Sequence, residues 1–478
     1  MKPIRILAPH FKDAVQLQWS GKKPLPLFPP LPIRTLEQYG SRPSAHLYWG
    51  ENLDVLEALL PKYANTIDLI YIDPPFDSSG QYTKKISLYG EKPRKENSFE
   101  QIQYSDLWKE EAYLQFMFER LLIFREFLSE RGSLYLHCDM NRSHKLRVIL
   151  DEVFGAKNCL NHLIWGYKTG GIPQKYGFSK KHDDILLYVK GREPIFNPTR
   201  QKSYAASLPE PHTTSGKKLG VLRDPECDLC HNGSPGQKYR NVRCRDVWSD
   251  IPTIFRNDAQ RVYYPTQKPE GLLQRIVETS SEPNSLVMDA FSGSGTCVTV
   301  ASKLHRRAIG IDSNLEAILT TRGRLRRSNI ACSIHTTCQT FDHSSPNSFR
   351  SIAPLNRPIN PSDRYRYPDI KPTPRKKDDI HCQFDIKRRT LFFKGINSPK
   401  LQQQFPKNRD PKRLVQSITL DFSGVAGIFM NPILDQPRQT QTITGTYPIP
   451  EHAKTVRIRV IDLLCNVFEC MLAVPHEG

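Results

Sequence analysis

The spacing of apolar residues changes period repeatedly along this chain, and each change marks an element. From Ala45, "HLYWGENLDVLEALL" reads as a strand, a turn and an amphipathic helix. "IDLIYI" (67–72) is apolar on both faces, as a strand of a parallel sheet covered from two sides must be. "EAYLQFMFERLLIFREFLSERG" has helical spacing and is predicted to stop at Gly132, where "SLYLHCD" begins a strand. The helical "NRSHKLRVILDEVFG" and the strands "HLIWGY" and "DDILLYVKG" follow. After an irregular stretch, "TQKPEGLLQRIVETSS" is a helix with an extended lead-in, "SLVMDAF" a strand, "TCVTVASKLHRR" a helix and "AIGID" a strand. Strands alternating with helices predict an α/β fold with a Rossmann-like, doubly wound sheet.

Where the pattern fails, it divides the chain. Residues 1–40 carry "KKPLPLFPPLPIR", expected to be a proline-rich arm lying extended on another surface. Residues 41–191 and 265–341 form the two regular α/β halves. Between them, residues 192–264 are polar and rich in Gly, Pro, Lys and Arg, the composition of an insertion. Residues 342–377 contain seven prolines and read as a linker. The remainder, 378–478, alternates like β-strands and predicts a small C-terminal all-β domain.

Composition adds a partner. Among 478 residues, 68 Lys and Arg outweigh 49 Asp and Glu for a net charge of +19, which favours a polyanion such as nucleic acid over a merely soluble basic protein. No run of 18 apolar residues predicts a membrane helix. Eleven unevenly spaced cysteines and an N-terminus without a secretory pattern set the expected location as a reducing cytoplasm.

Two short segments carry the chemistry. In "VMDAFSGSGT" (287–296) a strand runs into a glycine turn and then a helix, a place where a ligand can approach the backbone. Asp312, ending the next strand, is placed to accept hydrogen bonds from ribose hydroxyls. The turn has neither G-x-G-x-x-G spacing nor a P-loop lysine, so dinucleotide and triphosphate cradles are not supported. The second segment is Asp73-Pro74-Pro75-Phe76, directly after a predicted parallel strand and so at the ligand-binding rim. Prolines stiffen the turn and offer only acceptors, Asp73 adds a carboxylate and Phe76 a flat face. Acceptors beside an aromatic plane suit the exocyclic amine of a nucleobase.

"DPPF" at 73–76 together with "FSGSG" at 291–295 resembles the S-adenosylmethionine-dependent DNA amino-methyltransferases, and the order, catalytic motif first, resembles their beta group, which includes type III restriction-modification Mod subunits. "GENLDVL", "YSDLW", "GSLYLHCD", "HLIWGY" and "HDDILLYVKG" add likeness from about Leu47 to Asn314. The resemblance implies a methyltransferase sheet with a target-recognition insertion at 192–264, and S-adenosylmethionine as cofactor. It implies catalytic roles for Asp73, Pro74, Pro75 and Phe76. It assigns Asp289, Phe291, Gly293, Gly295, Thr296, Asp312, Gln267 and Lys268 to the cofactor, with Lys268 directed at its methionine carboxylate. The implied reaction is methylation of adenine N6, flipped out of double-stranded DNA. Cytosine N4, an RNA or protein amine, and a catalytically idle DNA-binding subunit are the alternatives; the intact Asp73 and glycine turn argue against the last. A restriction or defence subunit and a homodimer are implied partners, the dimer by analogy alone.

Cys227, Cys230 and Cys244, with His231 or His212 as fourth ligand, have spacing compatible with a structural zinc, weighed against ordinary thiols. Arg240, Arg243 and Arg245, "GRLRRSN" (323–329) and "SDRYRYP" (362–368) are candidate contacts to bases or phosphates.

Overall fold

Alternating burial along single strands shows how the sheet is covered. The computed structural model describes residues 5–75 except 7, 10, 12–14 and 28, then 81–90, 98–105, 110–167, 176–204, 222–223, 238–255, 258–262, 264, 266–337, 349–350, 374–375, 380–424, 428–437, 441–465 and 467–475. In β3 (Ile67–Ile72), Ile70 and Ile72 join a core with the helices α1 (Asn52–Tyr63), α2 (Glu110–Phe127) and α3 (Ser143–Phe154). Its Leu69 and Tyr71 join a second core with α4 (Glu270–Ser280), α5 (Thr296–Lys303) and α6 (Leu315–Arg327). Consecutive residues of one strand thus feed two helical layers, as an apolar run without alternation requires.

The other strands of this sheet are β1 (Arg34–Tyr39), β2 (Ala45–Trp49), β4 (Leu128–Cys138), β5 (Cys159–Gly166), β6 (His182–Val189), β7 (Val247–Trp248), β8 (Leu286–Asp289), β9 (Arg307–Asp312), β10 (Cys332–Thr336) and β11 (Phe429–Met430). Their order is β7-β5-β6-β4-β3-β8-β9-β2-β10-β1-β11. The run from β4 through β10 is parallel throughout, while β6 and β1 pair antiparallel with their parallel-run neighbours. From β3 the chain passes through α2 to β4 on one side, and from β8 through α5 to β9 on the other. The crevice between β3 and β8 is therefore a topological switch point, where open α/β sheets bind ligands.

Several boundaries differ from the sequence reading. Helix α2 ends at Phe127, and Gly132 lies within β4 instead of stopping the helix. A Cβ there would stand 2.7 Å from the Ile67 carbonyl oxygen, so this glycine serves close strand approach. The N-terminal arm does lie on a surface, that of its own domain. Leu25 is fully buried, and Lys22 reaches Glu152 at 2.7 Å while lying over the Trp19 ring. Its last residues are β1, a strand of the main sheet. Likewise the end of the 192–264 segment returns to the core: β7 pairs with β5, and Trp165 donates to the Ile251 carbonyl at 2.9 Å. A hairpin of strands 81–87 and 98–105, not expected from the sequence, separates β3 from α2.

The C-terminal part holds two antiparallel sheets, one of strands 380–385, 390–396 and 446–448 and one of strands 433–435, 415–421, 455–462 and 467–473, around a shared apolar core. It joins the main sheet through β11, which pairs parallel with β1. A buried charge cluster seals the joint. Arg322 of α6, wholly buried, donates to both oxygens of Glu37 at 3.0 and 2.9 Å and to Ser417 at 2.9 Å; Arg459 donates to Glu37 at 2.7 Å and to Glu469 at 2.6 Å.

Candidate active site

Because β3 and β8 are neighbours, with Asp289 opposite Tyr71, the segments that follow them lie side by side at the carboxyl rim. Asp73 is the first residue beyond β3, Pro74 is buried and Pro75 half-buried; Phe76 lies outside the described residues. The Asp73 Oδ2 atom accepts a hydrogen bond from Lys268 Nζ at 2.5 Å, with only 17% and 11% of the two side chains exposed. Asp73 Oδ1 is buried and, among the described residues, accepts no hydrogen bond. An open carboxylate lone pair in a dry place is costly unless a ligand fills it.

The turn after β8 is built around two positive φ angles, 49° at Gly293 and 71° at Gly295. A Cβ on Gly295 would come within 2.1 Å of Thr321 Oγ1, so any side chain would push α6 away. At Gly293 the nearest atom to such a Cβ is on the Tyr264 ring, at 3.4 Å, an ordinary van der Waals contact. Three carboxylates meet there. Asp289 Oδ1 accepts from the Phe291 N–H at 3.0 Å; Asp312 accepts from Gly293 N–H at 2.8 Å on Oδ2 and from Asn314 N–H at 2.8 Å on Oδ1. Burial pushes the Asp289 carboxyl well above its ordinary value, and the nearby Asp73 and Asp312 charges add to the rise. Burial also pushes Asp312 up to about 6, against the pull of its two N–H donors.

The Thr296 hydroxyl donates to the Lys268 carbonyl at 3.2 Å, joining the glycine turn to the segment before α4. The Gln267 side chain is spent within its own loop: it accepts from Val262 N–H at 2.9 Å and donates to the Gln260 carbonyl at 2.8 Å. It shapes the approach to α4 and leaves Lys268 as the charged group facing the crevice.

Three supporting networks were not expected from the sequence. Arg120 of α2, buried, donates to Asn52 at 2.7 Å and pairs with Glu51; Asn52 donates in turn to the Ala290 carbonyl at 3.1 Å, one residue before Phe291. Arg324 donates to the Ser294 carbonyl and Thr296 hydroxyl, each at 2.9 Å, and to Glu270 at 2.8 Å, clamping the turn to α4. Below Asp73, the Tyr71 hydroxyl meets His137 Nδ1 at 2.9 Å, His137 Nε2 meets Asp183 at 3.1 Å, and the Tyr167 hydroxyl donates to Asp183 at 3.3 Å. Burial works to raise the Asp183 carboxyl, but the hydrogen bond and charge of His137, with Lys268 and Tyr167, hold it below the ordinary value. The only sequence signal for these is a polar residue at a core-facing position, as Arg120 is between Glu119 and Leu121.

Other expectations fare differently. Arg324 of "GRLRRSN" is buried in its clamp, and Arg326 lies over the Tyr39 ring, so these two side chains serve packing and do not reach for a nucleic-acid backbone. Arg243 and Arg245 are exposed; the Arg240 side chain and residues 362–368 lie outside the described residues. So do Cys227, Cys230, His231 and His212, and the zinc expectation rests on them. The remaining ligand candidate, Cys244, accepts from the Thr199 hydroxyl at 3.3 Å, and the described residues contain no group of three or more His, Cys, Asp or Glu able to hold a metal. Among the described residues no helix is long and apolar enough to cross a membrane.

Comparison with known proteins identifies the family. A family model described as DNA methylase (N6_N4_Mtase) matches residues 67–322. The chain is 28% identical over 280 residues to the DNA adenine methyltransferase YhdJ of Escherichia coli K12, covering 58% of this chain and 81% of that protein. It is 26% identical over 321 residues to the type II methyltransferase M.EcaI of Enterobacter cloacae, covering 58% and 68%. It is 24% identical over 456 residues to the StyLTI Mod subunit, from a type III restriction-modification enzyme of Salmonella typhimurium, covering 78% and 67%. Among solved structures, the M1.HpyAVI complex with S-adenosylmethionine aligns with a TM-score of 0.37 and 16% identity, over 59% of this chain and 98% of that one.

Proposed function

The chain belongs to the N6_N4 DNA methylase family and is a DNA methyltransferase, and on that footing we propose that it methylates the N6 amine of an adenine flipped out of double-stranded DNA, at a fixed sequence, with S-adenosylmethionine as donor. The observation that carries the reading is the meeting of Asp73 and the glycine turn across adjacent strands, with one buried Asp73 oxygen left open among the described residues. Aspartate at the first motif position and the adenine-methylating relative favour N6 over N4.

The crevice fits the proposed cofactor. Asp312, half-buried, keeps a lone pair on each oxygen after accepting one backbone N–H, enough for ribose hydroxyls. We assign Phe291, Thr296 and Lys268 to the same cofactor, with Lys268 meeting the methionine carboxylate. Bound there, S-adenosylmethionine supplies an electrophilic methyl group on sulfur.

An adenine amine is a weak nucleophile because its lone pair is delocalised into the ring. Asp73 Oδ1 and the Pro74 carbonyl, each accepting one N–H, favour a pyramidal nitrogen whose lone pair faces the methyl group. Holding the two reactants in line supplies much of the rate, on the order of 7–11 kcal/mol in favourable cases. Phe76 would stack on the extruded base and offset part of the unstacking cost of about a few kcal/mol. The extra proton on the methylated nitrogen passes to water.

We assign residues 192–264 to target recognition, with Arg243 and Arg245 facing DNA. The Mod-subunit relative supports a restriction or defence subunit as partner. A structural zinc at Cys227, Cys230, His231 and Cys244 and a homodimer remain proposals. The test is sequencing for modified bases in DNA from cells expressing the chain or its Asp73→Ala variant. Methylated adenine in one motif is expected, falling on the order of a hundredfold or more in the variant. Methylated cytosine would reassign the enzyme to N4, and unmodified DNA in both would overturn the reading.

A further inference from the structure

Lys268 is fastened to both halves of the site. Its carbonyl accepts from Thr296 at the head of α5, and its ammonium group, at the end of a flexible four-carbon stem, binds Asp73 Oδ2 at 2.5 Å. Two further carboxylates, Asp183 and Asp289, feel its charge. The cation nearest the proposed methionine carboxylate thus already holds the acid assigned to the target amine. Oδ2 is occupied, while Oδ1 has no partner among the described residues.

We propose that Lys268 exchanges partners: it holds Asp73 while the crevice is empty, moves to the methionine carboxylate when the cofactor binds, and so releases the Asp73 carboxylate, whose Oδ1 accepts the target amine. This rests on the methyl-transfer reading above and goes beyond it by making Lys268 a positioning residue that couples the two ligands. The cofactor must break an ion pair to bind alone, which weakens its affinity. The incoming amine then hydrogen-bonds the released carboxylate. Cofactor and base therefore bind with positive, reciprocal coupling. A fixed Lys268–Asp73 pair would predict no such linkage.

Calorimetry of the full chain with S-adenosylhomocysteine, without DNA, tests the exchange. Asp73→Asn is expected to tighten binding about threefold or more, because Lys268 no longer has to leave a carboxylate, whereas Lys268→Met weakens it about tenfold. In the Lys268→Met background Asp73→Asn must give no gain. A gain that persists there is general relief of negative charge and overturns the exchange, as does a change below threefold for Asp73→Asn in the wild-type background. Asp73→Ser serves as the second variant, with thermal unfolding showing that each is folded. Failure of the wild-type chain to bind S-adenosylhomocysteine would overturn the methyl-transfer reading itself.

Discussion

The crevice between β3 and β8 and the joint beside β1 both bury carboxylates against cations, and they differ in what is left over. At the joint, Glu37 has both oxygens filled, Oε1 by Arg322 and Arg459 and Oε2 by Arg322 and Tyr39. At the crevice, Asp73 has one oxygen filled and one without a partner among the described residues. Closed acceptors hold two parts of a protein together, while an open acceptor at a switch point is a place for a ligand's N–H.

The largest effect should come from breaking the closed cluster. Glu37→Ala leaves Arg322 and Arg459 buried without their shared anion, and denaturant unfolding should show a loss of about 3–5 kcal/mol. Methyl transfer per folded molecule should change little. Pairing with Arg322 and Arg459 overcomes burial and holds Glu37 below its ordinary 4.5, so its stabilisation is complete above that value and is lost as the pH falls below it.

Next in size is Gly295→Ala, which forces a side chain to φ 71° and into Thr321. A cost of about 1–3 kcal/mol is expected, with cofactor affinity falling alongside stability, since the same turn borders the crevice. Equal affinity in a destabilised variant would separate the turn from the ligand site.

The smallest effect concerns pH. Asp312, raised to about 6, becomes a full acceptor only as the pH climbs through that value. Affinity for S-adenosylhomocysteine should rise severalfold between about pH 5 and 7, and Asp312→Asn should flatten the rise. The stability contribution has the opposite sense to that of Glu37: a raised acid favours the folded state at low pH, and this is lost as the pH passes through about 6.

Local features were legible in the sequence because their causes are local. The apolar run 67–72, the Asp-Pro-Pro turn and the glycines before α5 each follow from a few adjacent residues, and they place the site at a sheet rim. What escaped reading depends on partners far apart in the chain. Lys268 to Asp73, Arg120 to Asn52 and Arg324 to Glu270 are contacts that no spacing encodes. Arg324 of "GRLRRSN" misled for that reason, since a charged run has the same appearance whether a member faces solvent or a glutamate inside the fold. Gly132 misled because close strand approach and helix termination ask for the same residue.

Strand β11 carries a consequence for biosynthesis. The outermost position of the main sheet among the described residues is filled by Phe429–Met430, so the ribosome must pass Met430 before the outer side of β1 acquires its neighbour. Until then the nascent molecule presents a bare strand to other chains, an invitation to self-association. Shortening the gene after residue 341 would make that transient hazard permanent.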